Sequence, residues 1–246
     1  METSRFVDCH SHVLPSGDDG AQTLAEGLEL CAGAARHGTR VLFATPHVWP
    51  HLILTSEREQ AVREAFAELA LRAVLEVRLG YELTPTAALL AEDPHRYVLE
   101  GTDIVLVEMP FVGSADLLFA LAEHIEAAGL RPAIAHPERT EAVLTEPGVA
   151  TRVAERGWLI QVNGTSLTGK HGSGPEELAW RLVTEGQADL VASDGHRAGR
   201  PPHLDAAYEL VQARVGEEEA MRLFGGSALG LASPRPIPSH AIEQGA

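Results

Sequence analysis

Short apolar runs alternate along the chain with stretches of helical periodicity. Arg5–Cys9 reads as a first strand. A helix is predicted from Thr23, with Glu26 three residues on as a capping box. Leu24, Leu28 and Cys31 share its inner face, and Gly38 ends it. Arg40–Thr45 is a second buried strand. Ser56-Glu57-Arg58-Glu59 forms another capping box, opening a helix with Val62, Phe66 and Leu69 turned inward. Val74–Leu83 is a third strand and Pro85–Ala91 a short helix. Ile104–Val107 is apolar throughout, as a strand covered on both faces should be. Ser114 caps a helix carrying Leu117, Leu121 and Ile125, with Gly129 behind it. Ala133–Ala135 is strand five, and a helix around Pro147–Arg156 leads to strand six, Trp158–Val162. Pro175 suits the first turn of a helix with Leu178 and Leu182 inward and Gly186 after it. Leu190–Ala192 is strand seven, followed by helices at about Pro202–Val215 and Glu217–Phe224.

Seven strands alternating with helices predict a parallel α/β architecture, with barrel closure the preferred version. Residues 1–232 read as one domain, and 233–246, with Pro234, Pro236 and Pro238, as an irregular tail. The 246 residues are enough for one core of that size class. Nineteen Lys and Arg stand against 35 Asp and Glu, a net charge of -16. Such a surface repels nucleic acid and anionic membranes, and it leaves carboxylates available for cations. Two cysteines, Cys9 and Cys31, without a CxxC pair exclude a disulfide framework and point to a reducing cytoplasm. The first residues carry no long apolar run, so no signal peptide is expected. No run approaches the roughly 18 apolar residues that a membrane span needs.

Chemistry enters where the strands end. His10 and His12 flank Ser11 after the first strand, with Asp19 in the following loop. Strand two ends in Ala44-Thr45-Pro46-His47, strand three in Gly80-Tyr81-Glu82 and strand four in Val107-Glu108. Strand five ends in Ala135-His136-Pro137-Glu138-Arg139, and strand seven in Ser193-Asp194-Gly195-His196. A His-x-His alone is a weak signal, since two such histidines are usually just solvated or satisfied. Residues two apart in a strand share a face, however, and barrel strand ends converge. Four carboxylates gathered without cations would be costly to bury. Nine ligands of mixed imidazole and carboxylate type exceed what one ion takes and imply two or three divalent metals. Such donors suit Mn, Fe, Zn or Co better than Ca, and the lack of thiolate argues against a structural Zn site. Cys9, between strand-face positions, is expected in the barrel wall.

These segments resemble the PHP (polymerase and histidinol phosphatase) superfamily. More closely, they resemble its bacterial capsule-regulating, manganese-dependent protein-tyrosine phosphatases. The resemblance is carried by Asp8-Cys-His-Ser-His-Val-Leu-Pro, Asp18-Asp-Gly-Ala, Ala44-Thr-Pro-His, Glu108-Met-Pro-Phe, Ala135-His-Pro-Glu-Arg, Gln161-Val-Asn and Ser193-Asp-Gly-His, with Arg200-Pro-Pro after it. It runs from about residue 6 to 212. It implies a distorted seven-stranded, TIM-like (β/α)7 barrel with a trinuclear centre. One metal would take His10, His12 and Asp194, with Glu82 bridging to a second. The second would add Glu108 and His136, and a third would take Asp19, His47 and His196. Manganese is the first expectation. The implied reaction is hydrolysis of phosphotyrosine on a protein, a bacterial tyrosine kinase of capsular or exopolysaccharide assembly, with a homo-oligomer as a possible form. Water acidified by two cations would attack phosphorus. Arg139 and Arg200 are candidate phosphate clamps, because guanidinium matches phosphate bidentately. Asp194 or His196 would protonate the leaving oxygen. The chain departs from the family pattern at Gly195, usually Ala there, and in the loop Trp49–Thr55.

Gly164-Thr-Ser-Leu-Thr-Gly169-Lys170-His171 nearly spells a P-loop, but its last position is His rather than Ser or Thr. Gly172, Gly174 and Pro175 argue further against an immediate helix whose N-terminus could bind phosphate. Neither cysteine begins the Cys-x5-Arg loop of thiol phosphatases: Pro15 and His37 stand six residues on. His37, His95, His124, His203 and His240 read as surface residues, while His51, near His47, is ambiguous. Rival readings are a small-molecule phosphatase of histidinol-phosphatase type, a non-catalytic metal-binding regulatory module, and a metal-dependent deaminase or amidohydrolase.

Overall fold

The structure is a computed structural model that describes residues 5–231, apart from 112, 113 and 147. The tail expected from Ser233 lies outside the described residues. In chain order the elements are β1 (Phe6–Ser11), α1 (Leu24–Arg36), β2 (Thr39–Ala44), β3 (His47–Val48), α2 (Ser56–Arg72), β4 (Glu76–Leu79), β5 (Glu82–Leu83), β6 (Ile104–Glu108) and α3 (Asp116–Ala127). Then come β7 (Arg131–Ala135), α4 (Glu141–Thr145), α5 (Gly148–Glu155), β8 (Leu159–Asn163), α6 (Gly164–Leu167), α7 (Ser173–Thr184), β9 (Leu190–Ala192), α8 (Asp205–Val215) and α9 (Glu217–Phe224).

Every pairing between these strands is parallel, in the orders β1-β2-β4 and β3-β5-β6-β7-β8-β9. Seven strand positions become nine strands because two positions are broken. Pro46 has no N–H for a ladder and separates β2 from β3. Gly80 and Tyr81 separate β4 from β5, so the strand expected over Val74–Leu83 is two short ones. Gly80 N still donates to Ala44 O (2.9 Å) and Glu82 N to Pro46 O (3.2 Å), which keeps the broken halves adjacent. The series turns back on itself at its C-terminal end. Ser11 of β1 bridges Gly195 just after β9, His12 N donates to Gly195 O (2.7 Å) and Asp194 N to His10 O (2.9 Å). The buried Asp8 carboxylate pins the same seam by accepting from Ser193 N at 3.0 Å. The result is two parallel sheets in series, joined by a seam beside the strand ends as a distorted barrel would be.

Two apolar layers follow from strand alternation. Val7, Cys9, Val41, Phe43, Ile104, Leu106, Ala133, Ala135, Leu190 and Ala192 pack together as the inner cluster. Their neighbours Leu42, Val105, Val107, Ile134, Ile160 and Val191 pack in the other layer with residues of the helices. Cys9 thus sits in the inner cluster. The β1–β2 register slips between Asp8 and Ser11, and such irregularities re-aim side chains. Here Cys9 joins the apolar cluster while His10, next to it, joins the polar one above.

Three local expectations shift. Thr55, not Ser56, caps α2, its hydroxyl accepting from Arg58 N at 3.2 Å. Leu117 is 44% exposed, because α3 buries the next residue, Leu118, with Leu121 and Ile125. Glu26 reaches Gln22 N rather than the N-cap's own N–H. Helices α4 and α6, of five and four residues, are too short to show a periodicity. Pro147 lies outside the described residues, and α5 begins at Gly148.

Both cysteines are free and buried, and burial pushes the Cys31 thiol up to about 12 and Cys9 higher still. The thiolate is the reactive form. Iodoacetamide at pH 8 is therefore expected to label neither in the folded protein and both after denaturation, read by intact mass. Labelling of the folded chain would show a thiol open to solvent.

Candidate metal centre

The nine residues singled out at the strand ends converge above the inner cluster. His10, His12, Glu82, His47, Glu108, His136, Asp194 and His196 are all buried; Asp19 alone is exposed, its side chain at 59%. Its neighbour Asp18 is the buried one, at 7%, and accepts from His47 N (3.0 Å) and Gly20 N (3.1 Å). That turn is held against the site by Gly20, where a Cβ would stand 2.3 Å from His12 O.

Glu82 is the hub. Its Oε2 lies 3.0 Å from His10 Nε2, 3.3 Å from His12 Nε2 and 2.9 Å from His47 Nδ1, and its Oε1 lies 3.0 Å from His136 Nε2. His10 and His12 bring their Nε2 atoms within 3.2 Å of each other, and Asp194 Oδ1 is 3.6 and 3.5 Å from them. A second focus joins Asp19 Oδ1 to His47 Nε2 (3.6 Å) and His196 Nε2 (3.2 Å), with a His12 nitrogen also within reach. Glu108 falls with Glu82 and His47, and His136 with Glu82 and His10.

The donor atoms fit metal ions. His10 Nδ1 faces the Gln161 carbonyl oxygen at 2.9 Å, so it carries the proton and leaves Nε2 as a lone pair. That lone pair points at a carboxylate oxygen and at a second ring nitrogen, contacts that repel unless a proton, as in the metal-free chain, or a cation stands between them. Donors about 2.1 Å from one ion stand roughly 3.0–3.4 Å apart, which is the spacing found here. Orienting a ligand imidazole through its other N–H is the usual arrangement around metals.

Electrostatics shows the same tension. Burial would push His10 and His12 down, but Glu82 and Asp194 outweigh it at His10, and Asp18, Asp194 and Glu82 do so at His12, so both stand above the ordinary 6.5. Against the same burial, neighbouring histidines hold Glu82 and Asp194 well below the usual carboxylate range. Glu108 goes the other way: burial, then the Glu82 charge, raise it to about 8. The protein's own protons and arginines offset part of the charge that divalent cations would balance.

Other residues position the cluster. Asn163 Nδ2 donates to Asp194 Oδ2 (2.9 Å), and Thr84 Oγ1 to Glu108 Oε2 (2.7 Å). The buried Glu138 accepts from Asn163 N (2.9 Å) and Ser166 Oγ (2.7 Å), fixing the turn after β8. Gln161 and Asn163 stand in the sequence as part of the Gln161-Val-Asn segment that carries the resemblance, with no role assigned to either. His136 (φ 35°) and Asp194 (φ 50°) both adopt left-handed backbone, which non-glycine residues rarely do and which gathers at functional sites.

A cleft of about 320 Å³ opens over the cluster. Arg139 and Arg200 both line it: Arg139 Nη1 lies 2.5 Å from Asp194 Oδ2, and Arg200 Nη2 lies 3.5 Å from Asp194 Oδ1 and 2.8 Å from His196 Nε2. Gly195 has a steric reason here, since a Cβ would meet Pro202 Cα and N at 2.6 Å. Gly195→Ala is expected to cost about 1–3 kcal/mol, lower the melting temperature by several degrees and disturb the loop that carries Arg200. A melt unchanged by Gly195→Ala would show that the loop yields freely.

The P-loop look-alike makes the four-residue α6, capped by Asn163, with His171 Nε2 2.8 Å from Thr165 Oγ1. Part of that segment is therefore helical after all, and α7 starts only two residues beyond His171, at Ser173, with Gly174 and Pro175 inside its first turn, so those residues do not deny a helix there. His37 pairs with Asp205 (2.6 Å) and stacks on the half-buried His203, away from the cluster. His51 stacks beside Trp49 and supplies no cluster atom.

Comparison with known proteins fits this geometry. The chain is 30% identical to the tyrosine-protein phosphatase YwqE of Bacillus subtilis, over 87% of this chain and 86% of that protein. It is 27% identical to the tyrosine-protein phosphatase CpsB of Streptococcus agalactiae, over 89% and 95%. Among solved structures it resembles one from a study of YwqE and Streptococcus pneumoniae CpsB, described as unique metal-dependent tyrosine phosphatases. That match has a TM-score of 0.74 and 26% identity, and covers 87% of this chain and 89% of the other. An inactive dihydroorotase-like domain from Chaetomium thermophilum shares the fold alone, with a TM-score of 0.62 and 10% identity over 94% and 80%. No helix among the described residues is long and apolar enough to cross a membrane. Residues 6–230 match the model of the capsular polysaccharide synthesis CpsB/CapC family, and the chain belongs to that family.

Proposed function

We propose that this chain is a metal-dependent protein-tyrosine phosphatase whose substrate is a cytoplasmic bacterial tyrosine kinase of capsular or exopolysaccharide assembly. The observation that carries the reading is the shared carboxylate of Glu82 among four imidazoles, set beneath two arginines in an open cleft. The relatives named as tyrosine phosphatases support the substrate class. Two or three divalent ions, manganese first, would be held by His10, His12, Asp19, His47, Glu82, Glu108, His136, Asp194 and His196. When bound they supply Lewis acidity and an activated water.

The rest of the chemistry falls to the protein. Arg139 and Arg200 turn from Asp194 to the phosphoryl oxygens and fix the ester for in-line attack. Asn163 holds Asp194 as an ionised partner for the cations. Asp194 keeps no proton to donate, and His196 is held below its ordinary value by burial, then by the His12 charge. A phenol, with a pKa near 10, is a leaving group that needs little protonation. A tyrosyl ester suits these residues better than an alkyl one.

The test is a substrate panel with metal-depleted protein reconstituted with Mn, Fe, Zn or Co. Phosphotyrosine peptides are expected to be cleaved, with manganese most effective. Failure to cleave any phosphomonoester under any metal would sink the reading.

A further inference from the structure

Among the residues lining the cleft, Trp49 and Phe111 are the two carbon-ring side chains; the others are charged, hydroxylic or imidazole. Each is stacked on a histidine of the cluster. Trp49 lies over His47 with ring centres 4.2 Å apart and planes at 25°. Phe111 lies over His136 at 5.7 Å and 21°. Those two imidazoles contact the two oxygens of the one Glu82 carboxylate, and both aromatic rings line the same opening. Phe111 is 42% exposed and carries the Arg139 guanidinium 5.2 Å from its ring centre. Large aromatic surface left open in a polar cleft marks a place where apolar surface is meant to be covered.

The position fits one kind of ligand. In an aryl phosphate the ring begins one oxygen from phosphorus. With the phosphoryl group at the floor, that ring stands at the level of the residues stacked on His47 and His136. An alkyl phosphate such as phosphoserine places a slim methylene there, out of contact with either ring. Trp49 is held by a bridge between Trp49 and Leu52 in the loop over residues 49–55.

We propose that Trp49 and Phe111 form an aromatic clasp that grips the phenyl ring of the substrate and sets a preference for aryl over alkyl phosphate monoesters. The inference rests on the phosphatase reading and adds the residues that choose the substrate.

The experiment uses the full chain loaded with manganese and two probes that cannot turn over, phenylphosphonate and methylphosphonate, with binding measured by calorimetry. Wild type is expected to prefer phenylphosphonate about tenfold, the scale of two aromatic contacts. Trp49→Ala and Phe111→Leu should each lose about threefold of that ratio, and Trp49→Phe should recover most of it. The ratio isolates ring contact from any disturbance of Arg139, which acts on both probes. Metal content, by mass spectrometry, shows whether the Trp49 variant keeps its histidine in place; if it does not, Phe111→Leu decides. A ratio unchanged in metal-replete variants overturns the clasp. Loss of the ratio on truncation, with Trp49→Phe restoring it, supports it. The phosphatase reading fails separately, if phosphonates bind but no phosphomonoester is hydrolysed.

Discussion

Replacing Glu82 by Gln is expected to lower turnover of a phosphotyrosine peptide about a thousandfold and to remove at least one metal ion from the protein. The size follows from the several kcal/mol of charge stabilisation that metal ions supply, converted at one power of ten per 1.36 kcal/mol. Glu82 meets His10, His12 and His47 through Oε2 and His136 through Oε1. An amide keeps the volume and one acceptor but loses the charge and the second oxygen, so the carboxylate shared by the four imidazoles is gone. Metal per chain, read by plasma mass spectrometry, should fall in step with activity. The same variant relieves Glu108, whose raised value owes its second cause to the Glu82 charge. A Glu82→Gln protein that keeps its full metal complement and most of its activity would remove the hub from the mechanism. His12→Ala should be nearly as damaging. His12 reaches both the Asp194 focus and the Asp19 focus, so its loss strips more than the one site that the family's division of ligands assigns to it.

The difference between those two views of His12 shows how far the sequence could be read. Histidines and carboxylates at the ends of apolar strands were legible because barrel topology sends strand ends to one face. Nothing in the spacing says how a barrel distorts. His12 lies beyond the end of β1, after the register slip between Asp8 and Ser11, so its meeting with His10 comes from irregular backbone rather than strand alternation. Asp18 and Asp19 are indistinguishable as letters, yet the turn buries one and exposes the other. The left-handed backbone at His136 and Asp194 is imposed by tertiary contacts, which no local propensity encodes. Gln161 and Asn163 are ordinary amides until the fold sets them against His10 and Asp194. The breaks at Pro46 and at Gly80-Tyr81 fall just before His47 and Glu82. In both strands the ladder ends where the site begins, which frees those side chains from the sheet's alternation. Pro46 was a readable break; Gly80, within an apolar run, was not.

Manganese is expected to raise the melting temperature of the chelator-treated protein by a margin that widens as pH rises from about 5 to 9. Two trends of opposite sign produce it. In the metal-free chain Glu108 titrates near 8 instead of 4.5, so folding holds its proton, and stability falls as pH climbs from the unfolded value through the folded one. His10 and His12 titrate above 6.5, so their contribution is complete below that value and is lost as pH rises through the folded ones. Both trends weaken the metal-free fold toward high pH. Glu82 and Asp194, depressed below their ordinary range, add stability that is lost only in acid. Metal binding runs the other way, because the ions displace the protons on these ligands and bind more tightly as protons become scarce. An ion at a hundred times its dissociation constant stabilises by about 2.7 kcal/mol per site, and two or three sites give a shift of ten degrees or more for a chain of this length. Melts with excess manganese and with chelator, taken at each pH, measure the margin directly. A margin that is constant or shrinks toward pH 9 would mean that the buried histidines and Glu108 are not the groups whose protons the metals replace. It would move the metal sites away from this cluster.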